Sequence, residues 1–398
     1  MDKLAVVHFD EEYTHNAVVK ALKNSQIAWN IQEHPQTDSR DSEDQIVALQ
    51  WLEYELIDWP LVSMKQTESL VNAYCIRKGL IRKAQLSYNV NKYLSKNPDS
   101  ILKQAIPETW MFELDHVDYF DEAMNDVFEV ERDLRENETR GSRHMFIIKP
   151  SLANKAAGIH VFDSMDALYS IFDKDSDDEA DSDDDDDESA EDLSQVREWV
   201  IQRYIANPLL VNHRKFHVRA YALAVSNIQV YLYRDMLALF ALKEYNLDTL
   251  NDSLVHLSNT CIQAGHADFV EDDSVCLFWD LVDKGVTNDA LNAMFTKMQE
   301  ILKDIFDACT SEVTTFQAIP NAFELFGIDF LVDDNLNVYF LEANAYPDFK
   351  QTGTRLQHLI QELFEATVTT AVEPFFGKEN TPDPKFVKVL DKQLLRLE

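Results

Sequence analysis

The sequence predicts an α+β protein built as two or three lobes. Its 398 residues suffice for several substantial cores, and 45% hydrophobic with 11% aromatic residues describe a folded chain. Strand-period and helix-period runs follow one another along its length. Near the C-terminus, Phe326 to Asn344 reads as a buried hairpin with acids where apolar residues belong.

Leu4 to Phe9 predicts a first strand, Tyr13 to Lys23 a helix, Trp29 to Glu33 a second strand, and Arg40 to Asp44 a polar loop. From Thr67 to Lys96, Leu70, Tyr74, Leu80 and Leu86 fall at helix-turn spacing and predict helix. Ile106 to Thr109 is a breaker leading into an extended piece. Phe146 to Lys149 predicts a strand ended by Pro150, and Ile159 to Phe162 a strand returning after a loop. A helix from Asp166 to Phe172 leads into an acidic run. Glu198 to Ile205 predicts a further strand, closed at Asn207-Pro208. Lys215 to Val225 and Ile228 to Tyr233 read as strands paired across Ser226-Asn227. Asn288 to Ala308 predicts an amphipathic helix, and helices from about Thr354 to Val372 end the fold.

The formal charge is −35, and Asp173 to Asp192 carries fourteen acids and one lysine, leaving −22 on the rest. This run has nothing apolar to offset its ordering entropy, so a disordered surface insertion is expected, with docking of a basic partner as the alternative. The overall acidity argues against direct nucleic-acid binding or an anionic membrane surface. No apolar stretch reaches membrane-spanning length, and no charged-then-apolar signal opens the chain. Cys75, Cys261, Cys276 and Cys309 are scattered without zinc spacing, as suits a reducing cytosol.

Glu342 and Asn344 stand two apart on one strand, so they share a face. If Asp334 to Asn337 form a four-residue loop, Asp333 pairs with Val338 and Asp329 lands opposite Glu342. Asp329, Glu342 and Asn344 then offer only oxygen donors, which suits Mg²⁺ shared with substrate phosphates. A polar rim at a strand end is the bland alternative. Lys149 at a strand end can meet phosphate as a point charge, and the loop Asn154 to Ile159, with Lys155 and the lone glycine Gly158, can cradle phosphate with backbone N–H groups. Lys215 to Tyr221 alternates strictly: Phe216, Val218 and Ala220 face a core, while Lys215, His217, Arg219 and Tyr221 face the other way. Cations at Lys215 and Arg219 on one strand face repel unless phosphate or the hairpin acids lie above them. Glu198 to Ile205 is a candidate edge for adenine, with Gln202 or Arg203 reaching inward, and Asn259 is a candidate near phosphate or metal.

In order, I-I-K-P, V-I-Q-R-Y, H-R-K-F-H-V-R-A-Y, V-Y-L-Y-R, H-L-S-N-T-C-I-Q, F-G-I-D-F-L-V-D and F-L-E-A-N resemble the tubulin-tyrosine-ligase-like family of the ATP-grasp fold. The resemblance covers about Ile76 to the end, including Leu80 to Lys83 and Pro107 to Thr109. It implies ATP and Mg²⁺ held between two α+β lobes: a central lobe, 71–203, and a C-terminal lobe with the metal site, 204–398, after a small N-terminal α/β domain, 1–70. It implies that Lys149, with Lys155 and Gly158, touches phosphates and that Gln202, Arg203, Tyr204 and Ile205 hold adenine. Lys215 and Arg219 then lie at the phosphates as catalytic cations with Asn259 beside them, while Asp329, Glu342 and Asn344 coordinate Mg²⁺. The implied reaction activates a peptide or protein carboxylate, tubulin for instance, as an acyl phosphate that an amino acid attacks. The likeness is greatest to the fungal, P-body-associated branch. That branch implies a cytoplasmic, P-body setting, the mRNA decapping machinery as a partner, and a missing phosphatase-like N-terminal domain.

Four positions depart from the family pattern. Ala156 replaces a glycine of the phosphate loop, His217 an acid, and Arg203 a lysine. After Arg234, where the family places a substrate-side arginine, the chain reads Met236-Leu-Ala-Leu-Phe240. This predicts an exposed apolar surface at Leu237, Leu239 and Phe240. It also raises an alternative function, an interaction module with weak or no catalysis.

Overall fold

The computed structural model describes residues 2–33, 46–151, 157–174, 197–263, 265–349, 353–379 and 381–392. The expected loop Arg40 to Asp44, Lys155, Ala156 and all but the start of the acidic run lie outside the described residues. Among those residues, no helix is long and apolar enough to cross a membrane.

Three sheets organise the chain. Strands β1 (Lys3–His8), β2 (Trp29–Gln32), β3 (Val47–Leu52) and β4 (Leu70–Val71) form a four-stranded parallel sheet in the order β2-β1-β3-β4. The crossover helix Glu12–Lys23 starts at Glu11, whose carboxylate accepts from the Tyr13 and Thr14 N–H groups. Its apolar face, Ala17, Val18, Ala21 and Leu22, packs in one core with Leu359, Ile360 and Leu363 of the helix Gly353–Thr367.

Strands β5 (Thr109–Glu113), β6 (Phe146–Pro150), β7 (His160–Phe162) and β8 (Glu198–Arg203) form an antiparallel sheet in the order β5-β8-β6-β7. Alternation decides its faces. Phe146, Ile148, Trp199 and Ile201 bury under the helices Phe128–Arg140 and Met165–Lys174 with Leu134 and Leu168. Ile147, Lys149 and Gln202 therefore turn to the opposite side.

The third sheet has eight strands: β9 (Leu210–Val211), β10 (Arg214–Val225), β11 (Gln229–Tyr233), β12 (Leu237–Phe240), β13 (Val275–Leu277), β14 (Phe323–Val332), β15 (Val338–Asn344) and β16 (Phe386–Asp391). Along one edge, β10 pairs first with β12 and then with β11; along the other it pairs with β14. Phe216, Val218 and Ala220 pack against the helix Asn288–Thr310, beside Ile305 and Phe306. Tyr221 and Leu223 join the core under Gly353–Thr367. Lys215, His217 and Arg219 share that second face, as the alternation predicts.

Three expectations change. The helices up to Val372 do not end the fold, because β16 follows them and pairs with β11, adding an edge strand to the large sheet. Thr67 to Lys96 is not one helix: Leu70–Val71 is a strand, followed by the short helix Lys78–Ile81 and the longer helix Lys83–Lys96. The Val71 N–H donates to the Asn321 carbonyl and the Tyr74 N–H to Glu324, so tertiary partners take the bonds a helix would need. Met236 to Phe240 is not an exposed apolar surface. β12 lies inside the sheet between β10 and β13, and Leu237, Leu239 and Phe240 are buried. Ala238 and Phe240 face the core under Asn288–Thr310, Leu237 and Leu239 the core under Gly353–Thr367, so a run apolar at every position marks a strand covered on both sides.

Candidate nucleotide and metal site

A cleft lies where the antiparallel sheet faces the β10–β14–β15 part of the large sheet. Lys149, Gln202, Arg203, Tyr204, Ile205, Lys215, Asn259, Asp329 and Glu342 all line it. Ile147, Ile159, Leu331 and Leu341 supply apolar walls from both sides.

The hairpin reaches the expected pairing by another route. The Asp333 N–H bonds to the Asn337 carbonyl, and Val332 faces Val338, so the turn is one residue shorter than a four-residue loop. Leu336 adopts φ 60°, the left-handed conformation such a turn requires. A bulge between Phe330 and Asp329 then shifts the register by one and sets Asp329 opposite Glu342. Gly327 faces Asn344, and a Cβ there would lie 2.8 Å from the Pro347 Cβ, so the close approach demands glycine.

The charges divide into two kinds. Arg219 donates from Nε to Asp329 Oδ1 and from Nη2 to Asp329 Oδ2 at 3.1 Å, a buried fork. Burial opposes its charge, but Asp329 holds the guanidinium firmly protonated. Glu342 pairs with Lys83 at 3.1 Å. Burial opposes the Glu342 charge, yet Lys83 and Lys149 draw its carboxyl down to about 2. Lys149 instead donates to Gln202 Oε1 at 2.9 Å, and Lys215 to the Tyr204 hydroxyl at 3.1 Å. Neither forms an ion pair among the described residues. Burial lowers Lys149 to about 8, and burial with the nearby Lys149 charge lowers Lys215 to about 7.

A chain of bonds orients Lys215. The His256 Nε2 lies 3.0 Å from the Thr249 carbonyl, which requires the proton on that nitrogen. Nδ1 then accepts from the Tyr204 hydroxyl at 2.9 Å, and the Tyr204 oxygen accepts from Lys215. Burial, with Lys215 close by, lowers the His256 pKa and favours the neutral ring that this arrangement needs. His217 meets Ser258 Oγ at 2.6 Å through Nδ1, while its buried Nε2 lies 3.7 Å from Asp329 Oδ1 and has no hydrogen-bond partner among the described residues.

A family model described as the tubulin-tyrosine ligase family matches residues 62–380. The chain belongs to the tubulin-tyrosine ligase family. It is 39% identical to a probable tubulin–tyrosine ligase of Schizosaccharomyces pombe over 93% of this chain and 91% of that one. It is 37% identical to the probable tubulin–tyrosine ligase PBY1 of Saccharomyces cerevisiae, spanning 98% of this chain and 55% of that relative. The crystal structure of the C-terminal domain of K. lactis Pby1, an ATP-grasp enzyme interacting with the mRNA decapping enzyme Dcp2, superposes with a TM-score of 0.72 at 28% identity over 99% of this chain and 100% of that one. The fold is ATP-grasp.

Of the remaining described candidates, Arg219, Asn344 and Gly158 are not among the residues lining the cleft. Arg219 sits behind the cleft on Asp329, while Asn344 continues β15 past Glu342. Gly158 lies in a turn at φ 67° just before β7. Arg203 turns its guanidinium away to Asp133 at 2.8 Å and Glu108 at 3.0 Å, lining the cleft without offering it a charge. Lys83 and the hydrophobic walls were not foreseen as site residues. No local signal marks them, because their roles come from strands and helices distant in sequence.

Proposed function

We propose that the chain is an ATP- and Mg²⁺-dependent carboxylate–amine ligase that joins an amino acid to a peptide or protein carboxylate. One observation carries the reading: two buried lysines, Lys149 and Lys215, line the cleft without ion pairs among the described residues, beside the carboxylates of Asp329 and Glu342. Buried cations of this kind are costly unless an anion arrives, and a triphosphate is such an anion. The oxygen-only set of Asp329, Glu342 and Asn344 fits a hard cation, since Arg219 and Lys83 engage only part of the carboxylate lone pairs. Mg²⁺ bound there would neutralise charge on the phosphates.

The reading assigns Lys149, Lys155 and Gly158 to the phosphates and Gln202 to Ile205, with Ile147, Ile159, Leu331 and Leu341, to the adenine. Lys215 stabilises the transferring phosphoryl group, held in place by Tyr204 and His256. Arg219, the other candidate catalytic cation, acts on the same group from behind the cleft, through the fork that orients Asp329. The acceptor carboxylate oxygen takes the γ-phosphoryl group, releasing ADP and forming an acyl phosphate. The amino-acid amine then attacks the acyl carbon, expels phosphate and forms the amide. No covalent enzyme intermediate is needed, and positioning with charge neutralisation supplies the rate.

The decapping interaction described for K. lactis Pby1 supports proposing a cytoplasmic, P-body setting and a decapping partner here. It also favours a second reading, a nucleotide-binding scaffold with weak catalysis, which the missing arginine in β12 supports. Incorporation of labelled amino acids into a broad panel of acceptor peptides, tubulin tails included, separates the two. ATP- and Mg²⁺-dependent product supports ligation, and none across the panel overturns it. In parallel, ATP with Mg²⁺ raises the melting temperature, and Glu342→Gln removes most of that rise. An equal rise in both proteins refutes the metal assignment.

A further inference from the structure

The two carboxylates read as metal ligands already carry cations, and the two pairs differ in kind. Arg219 makes a fork to Asp329 from the strand paired with it, and both side chains are buried. Lys83 reaches Glu342 at 3.1 Å from a separate element, as the first residue of the helix Lys83–Lys96, and the two side chains keep 15% and 19% exposure. The fork is locked, whereas the Lys83 contact is a point charge on a flexible stem. The Lys83 backbone is nonetheless fixed. Its N–H donates to the Ser151 carbonyl at 3.2 Å, and the Ala84 N–H donates to Ser151 Oγ at 3.4 Å. Ser151 directly follows β6, the strand that carries Lys149. A helix anchored on the phosphate-side strand therefore holds an ammonium against Glu342.

Charge decides what this contact does. Burial opposes the Glu342 charge, but Lys83 and then Lys149 draw its carboxyl down, so it stands ionised and paired in the empty cleft. Arg219 and Lys83 cancel Asp329 and Glu342, and protonated Lys149 and Lys215 leave the cleft with a positive excess. A bare divalent cation entering it meets no net attraction, and an ammonium in contact with a ligand carboxylate repels a second cation at that spot. Mg²⁺ carried on a triphosphate arrives differently. The complex is an anion, both lysines attract it, and phosphate oxygens already surround the metal.

We propose that Lys83 is a positioning residue for the metal: it holds Glu342 ionised but closed to a free divalent cation, so that the metal enters only with the nucleotide. The inference rests on the reading of Asp329, Glu342 and Asn344 as metal ligands, and it names the residue that sets the order of entry. A salt bridge that merely fastened the helix Lys83–Lys96 would have no bearing on metal affinity.

Mn²⁺ binding to the full chain, followed by electron paramagnetic resonance with and without a non-hydrolysable ATP analogue, tests it. Without nucleotide, Lys83→Met should bind Mn²⁺ at least about ten-fold more tightly than the wild type, because the competing charge is gone. Lys83→Arg keeps the charge and should match the wild type. Adding Glu342→Gln to Lys83→Met should abolish the gain, which places the ion at that carboxylate. Mn²⁺ alone should also raise the melting temperature of Lys83→Met and leave that of the wild type unchanged. Should Lys83→Met fail to fold, Lys83→Gln keeps a hydrogen-bond donor for Glu342 without the charge and carries the same expectation. Equal nucleotide-free affinity in the wild type and the uncharged variant, or the same gain in Lys83→Arg, overturns the proposal. If the wild type binds Mn²⁺ with the analogue and the uncharged variant shows no gain, only the role of Lys83 is lost. No Mn²⁺ binding by any of these proteins, with or without the analogue, sinks the metal assignment as well.

Discussion

Two sets of buried charges in the cleft behave in opposite ways. The hairpin carboxylates already have cations, Arg219 on Asp329 and Lys83 on Glu342. Lys149 on β6 and Lys215 on β10, one from each wall, have only neutral hydrogen-bond partners among the described residues, Gln202 and Tyr204. The first set is internally balanced and contributes to holding the fold. The second carries a desolvation cost that only an incoming anion relieves, so stability is given up there in exchange for binding.

The contrast is broken most directly at its balanced end. Arg219→Leu should cost about 3–5 kcal/mol in chemical denaturation, because it strands a buried Asp329 carboxylate. A loss below about 1 kcal/mol would mean that the fork is no structural pair. At the unbalanced end the sign reverses. Lys215→Met should stabilise the ligand-free protein by about 2–4 kcal/mol near neutral pH, since it removes a buried ammonium whose pKa has fallen to about 7. The same variant should lose the melting-temperature rise given by ATP. The folded-state pKa lies below the unfolded one, so the penalty is full below about pH 7 and fades as pH climbs towards 10.5. Native stability should therefore gain from this group over that window, and Lys215→Met should flatten the gain.

Nucleotide affinity sharpens the same comparison. Below about pH 7 both lysines are charged, and neither makes binding pH-dependent. Above their free values, about 7 for Lys215 and about 8 for Lys149, each must take up a proton to meet phosphate. Affinity should fall by up to about ten-fold per pH unit for each lysine, roughly 1.4 kcal/mol. Calorimetry at pH 8.5 in buffers of differing ionisation enthalpy should register proton uptake. Proton release would contradict the assignment of both lysines to phosphate.

Which parts of this were legible follows from how local each signal was. Alternation along Lys215 to Tyr221 placed three polar side chains on one face because period 2 is a property of the strand alone. The pairing of Asp329 with Glu342 was anticipated through a four-residue loop, and it holds because a shorter turn and a bulge offset each other. β12 was misread as an exposed surface, since an unbroken apolar run does not reveal that a second core lies behind it. Leu70 and Tyr74 mimicked a helix period, while the Leu70 backbone pairs with Leu49 of β3 and the Tyr74 N–H bonds to Glu324 of β14. Lys83 reaches Glu342 from a distant helix, and no spacing rule connects them.

The smallest test concerns how Lys215 is aimed. Tyr204 both accepts from Lys215 and donates to His256, which Thr249 anchors in turn. Tyr204→Phe keeps the ring, over which the Lys215 ammonium lies 4.6 Å from the centroid, and removes only the hydroxyl. The cost in stability should be about 1 kcal/mol, the worth of a typical hydrogen bond. Nucleotide affinity should fall about five-fold, because the ammonium loses the partner that fixes its direction while keeping its charge. Tyr204→Ala removes the ring as well and should weaken binding further. If phenylalanine binds nucleotide as tightly as tyrosine while alanine does not, the ring face holds Lys215 in place and the chain through His256 has no part in aiming it.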